Sequence, residues 1–231
     1  MIISHSRKFI FVHVPKTGGS SITQMLLPHL DLSQDVILGG DPSFEDGEDM
    51  KRRENKELHK HSTALEIKES VGEEIWNQYF VFSFARNPFS RAASLFAWWN
   101  ETPWQGDKKK KAAIKNMSFE EFLDSDHNTL GEPMVFFLTS KKEKDFYVEY
   151  SRNIEVDYLG KLEDIWGASA YISGRLGLPH ERITQANKTK KRKHTHEYYN
   201  SRSINRLKQV YLEDFKTFGY EKEVGRWQDG E

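Results

Sequence analysis

Phe9-Ile10-Phe11-Val12-His13-Val14-Pro15-Lys16-Thr17-Gly18-Gly19-Ser20-Ser21 is the stretch that decides the reading of this chain. Its first half is an aromatic and β-branched apolar run, the composition of a buried strand. The run stops at a proline, a lysine, a glycine pair and three hydroxyl side chains, and Ile22, Met25 and Leu26 then recur at helical spacing. A strand that passes through glycines into a helix start is an anion cradle. Backbone N–H groups can turn toward a ligand without Cβ clashes, the helix N-terminus adds partial positive charge, and Lys16 adds a full charge. The plain alternative is a tight strand-to-helix turn without a ligand, which would need neither the lysine nor the hydroxyls.

The order of residues separates this loop from the common nucleotide-triphosphatase loop, where the lysine follows the glycines; here Lys16 precedes Gly18 and Gly19. A second segment, Val81-Phe82-Ser83-Phe84-Ala85-Arg86-Asn87-Pro88-Phe89-Ser90-Arg91-Ala92-Ala93-Ser94, supplies a second anion site. Its apolar run reads as another buried strand, Asn87 as an N-cap and Pro88 as the first helical residue, with the helix running from Phe89 to Trp99. Arg86 then sits at the carboxyl end of a strand, and Ser94 lies about two helical turns further on, within reach of the same phosphate. Taken alone, Arg86 reads rather as a surface ion-pair residue and Ser94 as helix filler.

Together the two segments resemble the sulfotransferases, the carbohydrate-type branch in particular. Pro-Lys-Thr-Gly-Gly-Ser-Ser is similar to their 5'-phosphosulfate loop, and Arg86 with Ser94 to their 3'-phosphate motif. The resemblance implies 3'-phosphoadenosine 5'-phosphosulfate as sulfuryl donor and adenosine 3',5'-bisphosphate as product. It assigns Lys16 to the bridging oxygen of the leaving phosphate, and the amides of Gly18 and Gly19 with the Thr17, Ser20 and Ser21 hydroxyls to the 5' end. Arg86 and Ser94 take the 3'-phosphate. The implied acceptor group is a hydroxyl of a glycan, lipid or small metabolite, with an amine as second choice. No metal is expected, because the lysine and the helix end already neutralise the leaving group.

A third constellation is His59-Lys60-His61-Ser62-Thr63-Ala64-Leu65-Glu66. Thr63 and Glu66 form a capping box, so His61 falls just ahead of a helix N-terminus, whose positive end disfavours imidazolium. His-x-His after the donor loop also resembles the catalytic segment of the uronyl 2-O-sulfotransferases, which implies His61 as the base, with His59 as the alternative. A metal pair and a solvated loop are the other readings of two histidines at this spacing.

The densest positive run, Asn187-Lys188-Thr189-Lys190-Lys191-Arg192-Lys193-His194-Thr195-His196, is by itself a solvated stretch or a weak polyanion contact. Its late position resembles the sulfotransferase loop that closes over the 3'-phosphate and adenosine, which implies Lys188, Lys190 and Arg192 as further donor contacts; the Gly-rich form of that loop is missing. Lys108 to Lys111 reads as solvated surface. Trp98, Trp99 and Trp104 are candidates either for stacking on an acceptor or for the core.

Alternating strand and helix signals predict an α/β fold, a P-loop-like three-layer sandwich with a central parallel sheet flanked by helices, as one domain over residues 1–231. Further elements are a polar loop over 38–58, a capping box at Ser118-Phe119-Glu120-Glu121, a strand from Val156 to Leu162 and a helix from Ile165 to Leu176. A last long helix carries a core stripe of Ile204, Leu207, Tyr211, Phe215 and Phe218. The formal net charge of -1 gives no global pull toward nucleic acid or anionic membrane. The chain has no cysteine, which excludes disulfides and thiolate metal sites. Without a secretory pattern or a spanning run the expected location is cytoplasmic, with no membrane or nucleic-acid partner. That departs from the Golgi-anchored animal carbohydrate sulfotransferases and points to a bacterial or viral relative. Two other classes compete: a P-loop kinase or nucleotide-binding protein, and a polyanion or nucleic-acid binding module.

Overall fold

In the computed structural model, which describes residues 1–39, 58–101, 108–125, 131–144, 147–180, 183 and 195–221, the quoted apolar run becomes a central strand. The chain begins with β1 (Ile2–Ser4) and turns back into β2 (Phe9–Val12), its antiparallel partner, with Ile2 opposite Phe11. The loop after β2 leads into α1 (Gly19–Leu26), and β3 (Val36–Ile37) pairs antiparallel with β1 on its other side. After the segment 40–57 come α2 (Ala64–Val71) and α3 (Glu73–Gln78), then β4 (Phe80–Ala85), which pairs parallel with β2. Later, α7 (Met134–Leu138) precedes a separate antiparallel hairpin, β5 (Thr139–Lys144) with β6 (Tyr147–Ile154). The strand β7 (Tyr158–Lys161) lies parallel to β4, and α8 (Ile165–Leu176) follows it.

The sheet order is β3-β1-β2-β4-β7. The expectation of a parallel sheet therefore holds for β2, β4 and β7 and is corrected at β1 and β3, which make the sheet mixed. A four-residue turn is enough to reverse the chain between β1 and β2, whereas the parallel pairs need helical crossovers. Every residue of β2 and β4 is buried, as strands covered on both sides require. On one side, Phe9, Phe11, Phe80, Phe82 and Phe84 pack with Ile22 and Leu26 of α1 and Ala168 and Ile172 of α8. Phe11 and Phe82 stack at 5.3 Å between ring centroids. Removing a ring such as Phe82 would cost about 3 to 5 kcal/mol.

Contacts divide the chain into two units, the first formed by 1–85 and 134–187, the second by 86–133 and 188–231. The second is helical: α4 (Pro88–Glu101), α5 (Lys108–Lys115), α6 (Phe119–Asp124), α9 (Ser201–Val210) and α10 (Leu212–Thr217). Phe89 packs against Tyr199 and Phe215, and Phe96 against Phe119 and Phe122. Arg91, almost fully buried, donates to the Glu132 carbonyl at 2.9 Å. The expected single last helix is two helices meeting at Tyr211 (φ -105, ψ 25). Its hydrogen-bond ladder still runs through the break, from Tyr211 N–H to Leu207 and from Phe215 N–H to Tyr211, so the stripe stays on one side and Leu207, Tyr211, Phe215 and Phe218 are buried.

Candidate active site

The loop after β2 leaves the sheet at its carboxyl end and bends through two left-handed residues, Lys16 (φ 65) and Gly18 (φ 85). Glycine takes that conformation freely; lysine pays for it, on the order of 1 kcal/mol, and such strain concentrates at functional loops. Gly18 is the N-cap of α1, its carbonyl accepts from Ser21 and Ile22 N–H, and the first turn carries no acidic residue. A helix start without carboxylates, behind a lysine, is the donor set an anion needs. Thr17 is buried and its hydroxyl donates to the Val14 carbonyl at 2.9 Å. Its proton is committed to bracing the loop, whereas Ser20 is half-buried and Ser21 buried at the helix start.

The His-x-His segment sits in the same unit. His59 and Ser62 close a turn, with Ser62 N–H donating to the His59 carbonyl and His59 N–H donating to the Ser62 hydroxyl. Thr63 then caps α2 through the predicted box, accepting from Glu66 N–H while the Glu66 carboxylate accepts from Thr63 N–H at 2.7 Å. The two ends of that turn fix the residue between them, His61.

His61 Nδ1 lies 2.8 Å from the carbonyl oxygen of His13. A carbonyl can only accept, so Nδ1 carries the proton and Nε2 is left with its lone pair. Burial pulls the His61 pKa down to about 3, reinforced by Lys60 and His59 and opposed by the His13 carbonyl. The ring is thus neutral through the whole ordinary pH range. His59 is exposed, and its Nδ1 accepts the His61 N–H at 3.1 Å.

Three residues around His61 carried no role in the reading of the sequence: His13, Lys60 and Ser62. His13 is buried, its ring stacks on Phe11 at 5.5 Å and meets the His61 ring edge-on at 4.9 Å. Burial first, then neighbouring positive charge, keeps it neutral. Lys60 packs its stem over Gly39, and burial lowers its pKa. The one sequence signal for His13 is its place two residues after Phe11 on an otherwise apolar strand face.

Arg86 and Ser94 belong to the second unit. Arg86 is half-buried in the two-residue link between β4 and α4, and Ser94 half-buried in the second turn of that helix. Asn87 caps α4 as expected, accepting from Phe89 N–H at 3.0 Å. Of the three tryptophans, Trp99 is buried with Lys110 over its ring at 5.2 Å, Trp98 is half-buried, and Trp104 lies outside the described residues. Lys188, Lys190 and Arg192 also lie outside them, as does most of the 38–58 loop. Among the described residues no helix is long and apolar enough to cross a membrane.

The central strand of the mixed sheet thus runs into a lysine-glycine loop, and a histidine with its tautomer set by a main-chain carbonyl stands at the end of that strand. The chain belongs to the Sulfotransferase family, which it matches over residues 1–221. It is 25% identical to carbohydrate sulfotransferase 10 of Pongo abelii, across 96% of this chain and 67% of that protein. It is also 28% identical to an uncharacterized protein of Archaeoglobus fulgidus, across 51% of this chain and 84% of that one. No solved structure matches it.

Proposed function

We propose that this sulfotransferase takes its sulfuryl group from 3'-phosphoadenosine 5'-phosphosulfate and passes it to an acceptor hydroxyl. A carbohydrate hydroxyl is favoured by the likeness to carbohydrate sulfotransferase 10. The observation that carries the reading is one arrangement: a left-handed Lys16 and Gly18 leading into an acid-free helix start, beside an imidazole whose Nδ1 is tied to the main chain.

These residues fit an anionic nucleotide, since the loop offers backbone donors, hydroxyls and an ammonium and no carboxylate. When bound, the donor supplies an activated sulfuryl group. Gly18 and Gly19 N–H with the Ser20 and Ser21 hydroxyls hold its 5' end, while Thr17 keeps the loop bent. Lys16 neutralises charge as it grows on the bridging oxygen, a contribution made mostly in the transition state. His61 Nε2 takes the proton of the acceptor hydroxyl. Arg86 and Ser94 are assigned the 3'-phosphate from their spacing after β4 and from the family they belong to. A pKa near 3 leaves His61 unprotonated but weakly basic, and negative charge brought by the donor would raise its basicity toward the operating range.

Thermal-shift titration tests the reading. Adenosine 3',5'-bisphosphate at a hundredfold its Kd should stabilise the fold by about 2.7 kcal/mol, because it binds the folded chain alone. ATP with magnesium, 5'-AMP and an oligonucleotide should give little. An equal response to ATP with magnesium would favour a kinase, and a response to oligonucleotide alone a polyanion-binding module.

A further inference from the structure

We propose, resting on that reading, that His13 is a positioning residue that couples the donor loop to the base: its ring is lodged between Gly19 and His61, and its main-chain carbonyl orients the His61 ring. Gly19 is the first observation. Its φ is not in the left-handed region, so torsion does not demand glycine there. Space does: a Cβ on Gly19 would overlap Nε2, Cδ2 and Cε1 of the His13 ring. The second glycine of the loop makes room for the imidazole behind it.

The His13 ring is the second observation. It is 4% exposed, and its Nδ1 has no hydrogen-bond partner among the described residues. A buried polar nitrogen left without a partner is uncommon, and an apolar ring would fill the space without that penalty. The ring touches the first residue of α1 on one side and the edge of His61 on the other. The same residue accepts the His61 Nδ1–H through its carbonyl, 48 positions away in sequence. Any adjustment of the α1 start around an anion therefore presses on the group that sets the direction of the His61 lone pair. The charged and titratable groups facing the pair are Lys16 on the loop, Lys60 and His59 on the turn, and the Met1 amino group just ahead of β1.

The test uses the full chain with 15N-labelled histidine and long-range 1H–15N spectra. His61 should show the Nδ1–H tautomer and should not titrate between pH 8 and pH 5. Titration with adenosine 3',5'-bisphosphate should move the His13 and His61 ring signals together, along one saturation curve. In His13→Ala, His61 should titrate inside that pH window while the bisphosphate still binds within about threefold of its wild-type affinity. Bisphosphate that binds without moving either ring would overturn the coupling, as would an Nε2–H tautomer for His61. If His13→Ala does not fold, the wild-type spectra decide by themselves. Absence of any bisphosphate binding is a different result, which removes the donor reading and the coupling with it.

Discussion

The His61 Nδ1 nitrogen and the His13 carbonyl oxygen stand 2.8 Å apart, joining the turn before α2 to the end of β2. One hydrogen bond thereby settles which nitrogen of the ring can accept a proton, and it distinguishes His61 from the exposed His59 two residues earlier.

If Nε2 of His61 is the base, His61→Ala should lower turnover by about 10²- to 10⁴-fold while leaving adenosine bisphosphate affinity nearly intact. His59→Ala should be much milder. Steady-state kinetics with labelled donor and an acceptor found by screening would measure both, and a reversed ranking would move the base to His59.

Stability should fall on the acid side. The unfolded His61 titrates near the ordinary value of 6.5 and the folded one near 3, so between these values the unfolded chain binds the extra proton. The contribution of the neutral ring is fully present above pH 6.5 and is lost as pH falls toward 3, at up to about 1.4 kcal/mol per pH unit. Urea midpoints between pH 7.5 and 5 should decline in the wild type and decline less steeply in His61→Asn. A rising midpoint on acidification would contradict the burial of this imidazole.

Lys16→Ala should abolish turnover while weakening adenosine bisphosphate binding far less, since the ammonium matters most as charge develops on the leaving group. Comparing single-turnover rates with calorimetric affinities separates the two effects. Normal turnover would remove Lys16 from the chemistry.

For Arg86→Ala the pattern should invert. Losing a charged hydrogen bond to phosphate should weaken adenosine bisphosphate by roughly 1.5 to 3 kcal/mol, about 10- to 150-fold in Kd. The loss should be much smaller for 5'-AMP, which lacks the 3'-phosphate; an equal loss for both ligands would argue against the assignment.

Local signals carried much of this structure. The capping boxes at Thr63 and Ser118, the Asn87 cap, α8 at Ile165–Leu176 and the strands β2 and β4 all follow from residue type and spacing, because each is set within a few positions of the chain. What escaped was short or distant. Two- and three-residue strands such as β3 and β1 have no period to read, and β5, Thr-Ser-Lys-Lys-Glu-Lys, lacks the composition of a strand. His13 and His61 meet only because β2 and the turn before α2 come together in space, a contact that no window of sequence contains.

The positive φ of Lys16 sets stability against function at a single position. Lys16→Ala keeps the unfavourable torsion, whereas Lys16→Gly releases it at some cost in unfolded-chain entropy, leaving a net gain of at most about 0.5 kcal/mol. A search for thermostable variants of this protein would therefore favour glycine at position 16 and, with Lys16 in its proposed role, select in the same step for an inactive enzyme.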